Sequence, residues 1–207
     1  MIPLIIDYGH GGLIDGVYQT PGGKQYTHTD VQPPLTLYEG VSNRMTAAAL
    51  MRLALMEGYQ VWDCVADQQV RSAPTWSDLE QADIRLSARV ASANQHPTGL
   101  LISCHSNAVG NAIKGPSQSA NGIDIYTSKG TTMADAVASS VYESFKAHMQ
   151  GLRVRAGEFS DGDSDHELDF YIVRKTIMPA VLGEIGFFTN LADAQFLAAL
   201  ENHSQIA

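Results

Sequence analysis

Six short apolar runs punctuate the chain, at residues 2–7, 59–64, 99–104, 122–127, 170–174 and 179–183. Each is bounded by turn-forming or polar residues and is too short to cross a membrane, which reads as buried strands. Between them the apolar positions change period. Residues 38–57 place Val41, Met45, Ala49, Leu53 and Met56 at helical spacing, with Gly58 set to close the helix as C-cap. A second helix is expected from Ser77, whose Ser-x-x-Glu pattern with Glu80 is a capping box, burying Leu79, Ala82, Leu86, Val90 and Ala93. A third covers about 132–150. A last one starts behind Asn190 as N-cap and runs through Phe196 and Leu200, with no C-cap before Ala207.

Strands alternating with helices predict an α/β fold: a single, mostly parallel twisted sheet of about six strands, covered by helices on both faces. The 207 residues suit one domain, 1–207, and no repeat or linker divides them. Two stretches lack periodicity, the Gly-, Pro- and Tyr-rich residues 11–37 and the acidic residues 156–169. Loops of that length usually flank functional clefts, so both are expected at its rim, with Tyr18, Tyr26 and His28 available to substrate.

A net charge of −9, from 13 Lys and Arg against 22 Asp and Glu, argues against nucleic acid as a partner. With 44% hydrophobic and 17% charged residues the chain reads as soluble, and a monomer without a membrane span is expected. The amino terminus has no basic n-region and no small-residue cleavage site, so synthesis in the cytosol without a signal peptide is expected. Cys64 and Cys104 both lie in apolar strand-like runs and read as buried thiols, not as a disulfide.

Chemistry gathers at the expected strand ends. His10 follows the first run between Gly9, Gly11 and Gly12, and His105 follows the run 99–104, ahead of Ser106 and Asn107. Open α/β sheets place their ligands at that edge. Two imidazoles and a carboxylate hold zinc in its usual catalytic arrangement, with the fourth position left for water. Glu39, at the start of the helix over 38–57, supplies the carboxylate, although a helix-stabilising charge is the alternative reading. Asn43, one turn on, shares its face and is a candidate to support a ligand. Glu184 ends an apolar strand, where burial raises a carboxyl toward the pKa of a general base. His28 reads as an exposed loop residue more readily than as a fourth ligand. The segment 161–167 has the spacing of a calcium loop but lacks Gly at the sixth position and an acid at the twelfth, Ile172, so it reads as a solvated acidic rim.

These residues together resemble the zinc-dependent N-acetylmuramoyl-L-alanine amidases of bacteria and their phages. The resemblance spans nearly the whole chain: His10 with its glycines, Glu39 with Asn43, Arg89 followed by Ala93-Asn94, Ser103-x-His105-x-Asn107, Gly122-Ile123-Asp124, and Met178 to Phe187 with Asn190. It implies zinc on His10, Glu39 and His105, catalysis by Glu184, and peptidoglycan as substrate, cut between N-acetylmuramic acid and L-alanine. Action on the cell wall follows, as a phage lysis enzyme or as the catalytic domain of a secreted amidase. Tyr8 stands where the family usually has Pro and Asp124 where it has Glu, and the segment from His10 to Glu39 is longer than common, which puts the cleft's shape in question. The rival readings are a zinc carboxypeptidase or related amidohydrolase, with Arg89 or Arg174 as carboxylate clamp, and a non-catalytic wall-binding module.

Overall fold

A computed structural model describes residues 2–20, 22–111, 115–116, 119–155 and 162–207. The first apolar run forms β1 (Leu4–Tyr8), followed by two hairpins, β2 (Leu13–Ile14) with β3 (Val17–Tyr18) and β4 (Gln25–His28) with β5 (Leu35–Tyr38). Then come α1 (Glu39–Met56), β6 (Val61–Asp63), β7 (Gln68–Val70), a 3-10 turn at Trp76–Leu79, α2 (Leu86–Ala93) and β8 (Leu100–Asn107). A small ladder, β9 (Gly110–Asn111) with β10 (Gly115–Pro116), precedes β11 (Ile123–Thr127) and α3 (Met133–His148). The chain continues through β12 (His166–Glu167), α4 (Tyr171–Lys175), β13 (Ala180–Phe187), α5 (Leu191–Ala198), a 3-10 turn at Leu200–Asn202 and α6 (His203–Ile206).

Seven strands form the central sheet in the order β12-β11-β13-β8-β1-β6-β7. It is mostly parallel: β1 runs parallel to β6 and β8, β8 to β13, and β11 to β12, while β6–β7 and β11–β13 are antiparallel. Successive strand residues point to opposite faces, and both faces are covered. Ile5, Leu101, Ala180 and Leu182 pack against Val90 and Ala93 of α2 and Ile172 and Val173 of α4. Ile6 and Tyr8 pack on α1 at Ala47, Met51 and Ala54, and Ile123, Ile125, Val181 and Ile185 take Ala134 and Ala138 of α3 with Phe196 and Leu197 of α5. Burial on both sides is why the central strands read as unbroken apolar runs.

Several expectations need correcting. Residues 170–174 are not a strand: Tyr171–Lys175 is a helix that buries Ile172 and Val173 and exposes Arg174. A short apolar run carries no period by which strand and helix could be separated. The helix from Ser77 is broken in two. Thr75 and Asp78 make the capping box of the 3-10 turn, and α2 starts only at Leu86, leaving Ala82 and Leu86 exposed. The residues between are diverted to the site, where the Gln81 carbonyl accepts from Gly12 N (3.1 Å) and Arg44 Nη2 (3.2 Å).

Helix α1 spans its expected residues and ends as expected, with Gly58 at φ +81° and the Tyr59 N–H reaching back to the Ala54 carbonyl. Its inner face differs from the expected one. Met56 is 73% exposed, whereas Ala47, Met51 and Ala54 are buried together with Ser42, Asn43 and Arg44. Small residues let this helix approach the sheet, and its polar residues are satisfied by the Gly9, His10, Leu79 and Gln81 carbonyls and the Ser106 hydroxyl, so a hydrophobic stripe misidentifies the face. Asn190 caps α5, its Oδ1 accepting from Ala192 N and Asp193 N, but that helix stops at Ala198, before Leu200. Residues 11–37 are two hairpins, not one loop. Of the acidic segment 156–169, residues 156–161 lie outside the described residues. Cys64 and Cys104 are free and buried.

Candidate metal centre and active site

Parallel pairing of β1 with β8 places Tyr8 beside Cys104, and Gly9 N extends the ladder by donating to the Cys104 carbonyl (3.1 Å). The chain then turns at His10, which itself takes the left-handed conformation (φ 65°). That conformation is uncommon outside glycine and stores strain of order 1 kcal/mol, offset by the surrounding bonds. Gly9 and Gly40 make room for the groups packed against them. A Cβ on Gly9 would overlap the His105 imidazole, and one on Gly40 would overlap the Gly11 carbonyl.

Glu39 is brought in by the second hairpin, which runs directly into α1. Its N–H donates to the Lys24 carbonyl (2.9 Å), Tyr18 Oη donates to the same carbonyl (3.0 Å), and Gly40 N donates to Tyr18 Oη (3.0 Å). Three donors therefore converge. Glu39 Oε1 lies 3.2 Å from His10 Nε2 and 3.2 Å from His105 Nδ1, and one ligand atom from each residue falls within 4.8 Å of the others. The two imidazoles stand edge to face with centroids 5.4 Å apart.

The group fits a zinc ion. His10 Nε2 is buried without a hydrogen bond, an orphaned donor atom turned toward a carboxylate. Burial opposes ionisation of Glu39, but the two imidazoles beside its carboxylate outweigh that and hold the carboxyl well below the usual range. His105 is raised: burial works against its protonation, and Glu39 and Glu184 outweigh that.

Glu184 stands opposite His105 in the β13–β8 register. Its Oε2 is buried with no hydrogen-bond partner, and burial pushes its pKa up to about 7, with Glu39 and Asp124 adding to the rise and His105 and Lys24 opposing it. On its other side β11 sets Asp124 opposite Glu184. Asp124 is already committed, accepting from Arg155 Nη1 (2.6 Å) and lying 3.3 Å from His166 Nε2.

The remaining candidates serve as supports. Asn43 Nδ2 donates to the Gly9 carbonyl (3.0 Å) and its Oδ1 accepts from Ser106 Oγ (3.2 Å), joining the residues next to His10 and His105. Asn107 Nδ2 reaches Asp124 Oδ2 at 3.5 Å. Arg89, 1% exposed, donates to Asp7, the Tyr8 carbonyl, the Ile84 carbonyl and Asp83, and so has no free face for substrate. His28 contradicts its reading as an exposed loop residue. It lies in β4, is 1% exposed, faces the Phe188 carbonyl through Nε2 (3.1 Å), and is absent from the three-residue donor group.

Two residues went unforeseen. Lys24 Nζ lies 3.1 Å from Glu39 Oε2, and Asp83 Oδ2 lies 3.8 Å from His10 Nδ1 while Arg89 holds its other oxygen. Nothing in a Gly-rich loop marks Lys24. Asp83 was hidden by its assignment to a continuous helix. A cleft of about 580 Å³ opens over His10 and His105, walled by Gln19, Asp83, Arg85 and Leu86.

Residues 4–207 match the family profile described as N-acetylmuramoyl-L-alanine amidase. Among solved structures, an amidase from Clostridium difficile 630 is 23% identical, with 99% of this chain and 90% of that one covered and a TM-score of 0.70. AmiC2 of Nostoc punctiforme gives 22%, 99%, 90% and 0.69 in the same order, and the catalytic domain of the CD27L endolysin, targeting Clostridium difficile, gives 17%, 100%, 94% and 0.62. At these identities the structures show a shared fold. A Bacillus subtilis (strain 168) protein, the uncharacterized YqiI, is 27% identical over 134 residues, which span 65% of this chain and 58% of that relative.

Proposed function

The chain belongs to the N-acetylmuramoyl-L-alanine amidase family, and on that footing we propose that residues 1–207 are one catalytic domain that hydrolyses the amide between N-acetylmuramic acid and L-alanine, using one zinc ion. The observation that carries this reading is the convergence of His10, Glu39 and His105, with the orphaned Glu184 carboxylate on the neighbouring strand. Zinc held there would supply a Lewis acid that lowers the pKa of water and polarises an amide carbonyl. Glu184 Oε2, with no hydrogen bond of its own, takes a proton from water and returns it to the leaving nitrogen. Its raised pKa suits both halves of that cycle near neutral pH. Asp83 orients the His10 ring, and Asn43 holds the two histidine-bearing strand ends in register.

A carboxypeptidase needs a free guanidinium for the substrate's terminal carboxylate, and the engagement of Arg89 with Asp7, Asp83 and two carbonyls speaks against it in that role. No helix among the described residues is long and apolar enough to cross a membrane. We assign the protein to the cell wall as a monomer acting on peptidoglycan. Digestion of purified peptidoglycan followed by mass analysis tests the reaction: free stem peptides with an L-alanine amino terminus are expected. Release of only C-terminal residues would replace this reading by the carboxypeptidase one, and an undigested wall with zinc bound would favour a binding module.

A further inference from the structure

Away from the zinc candidates, three carboxylates meet beside the start of α3. Asp135 comes from the helix's first turn, and Asp163 and Asp165 come from the segment leading into β12; one oxygen from each lies within 4.8 Å of the others. Asp135 has a local explanation, since its oxygens accept from Thr132 N (2.6 Å) and Thr132 Oγ1 (2.9 Å) as a capping box. Asp165 has none. It is 1% exposed, its Oδ2 accepts from Thr127 Oγ1 (2.5 Å), and its Oδ1 is buried without a hydrogen-bond partner. Among the described residues no lysine or arginine forms an ion pair with any of the three. Burying an unpaired carboxylate against two others costs several kcal/mol unless something positive joins them.

We propose that Asp135, Asp163 and Asp165 form a second cation site, for a hard divalent ion of the calcium class. The donors are all oxygen, which disfavours zinc, and the number of protein carboxylates favours calcium over magnesium, which keeps most of its water. This is not the helix-loop pattern that residues 161–172 fail to complete, because Asp135 arrives from a separate element. Burial, and after it the neighbouring Asp163 and Asp135 carboxylates, also raise the Asp165 carboxyl. The ion would pin the segment before β12 to α3 and to Thr127 of β11. Next along that segment, His166 reaches Asp124, the strand neighbour of Glu184.

The test is thermal melting of the zinc-loaded protein in chelating-resin-treated buffer containing zinc, with CaCl2 added against NaCl of equal ionic strength. At about ten times the dissociation constant a rise of roughly 4 °C is expected for a chain of this size, saturating with calcium. Equilibrium dialysis should find one calcium per chain. Asp163→Asn, at a half-buried position outside the cap of α3, should fold and lose the calcium-dependent rise, as should Asp165→Asn. His105→Ala should keep the rise, which separates this site from the zinc group. No saturable rise, a rise matched by NaCl, or an unchanged rise in Asp163→Asn overturns the proposal and leaves a proton shared between Asp163 and Asp165 as the account of the cluster.

Discussion

Glu184 and His105 are partners in one parallel register, β13 against β8. The distance between a proposed proton acceptor and a proposed metal ligand is thereby set by a backbone hydrogen-bond ladder, not by flexible loops. Strands hold side chains more precisely than loops do, which suits a reaction that needs tight positioning.

Replacing His105 by Ala should leave the fold intact and remove most of the bound zinc. Elemental analysis after dialysis is the check, and one zinc per chain in the variant would reject His105 as a ligand.

Glu184→Gln keeps the shape of the side chain and loses the base. Zinc content should stay at the parent level while turnover on peptidoglycan falls by about 10²–10⁴, the scale of a positioned acid or base. Near-parent turnover would make Glu184 structural.

The same substitution has a signature in stability. Folding raises the Glu184 pKa from 4.5 to about 7, so the native state disfavours its ionised form. The penalty is absent below the unfolded value, grows as pH rises between the two, and is complete above the folded value. In zinc-free protein, Glu184→Gln should therefore raise the melting stability at pH 8 by about 3 kcal/mol and have little effect at pH 4.5. An equal shift at both pH values would show that burial is not the cause.

Gly9→Ala tests packing alone, because Gly9 does not occupy the left-handed region that His10 does. The added methyl meets the His105 ring, so the ring must move. Zinc affinity should drop about tenfold, equivalent to ~1.4 kcal/mol and within the range for overpacking. Titration against a competing chelator measures it; unchanged affinity would mean the ring has slack.

What the sequence disclosed depends on how local each signal was. The strands ending near His10, His105 and Glu184 are continuous apolar runs closed by a polar residue, and the buried central sheet produces that signature directly. Helix α1 was readable in extent but not in orientation, because its inner face carries Asn43 and Arg44, bonded to the strand-end carbonyls of Gly9 and His10. The break between Leu79 and Leu86 was invisible for a related reason: its cause is a bond from Gly12 to Gln81, far along the chain. His28 is buried by the Phe188 carbonyl, a neighbour 160 residues away, and no window around residue 28 could report it.

The three donors lie at positions 10, 39 and 105, in the turn after one strand, at the head of a helix and on a second strand, with the carboxylate at 184 on a third strand. Such a centre does not exist in any contiguous fragment, and it assembles only once β13, β8 and β1 have paired side by side. Pairing strands so distant in the chain is the slow part of folding, and metal affinity rests on a preformed cage. Zinc uptake at the proposed centre would therefore work as a clock on this molecule: followed in time with a chromogenic chelator during refolding, it should mark the moment when β1 and β8 pair and α1 docks beside them.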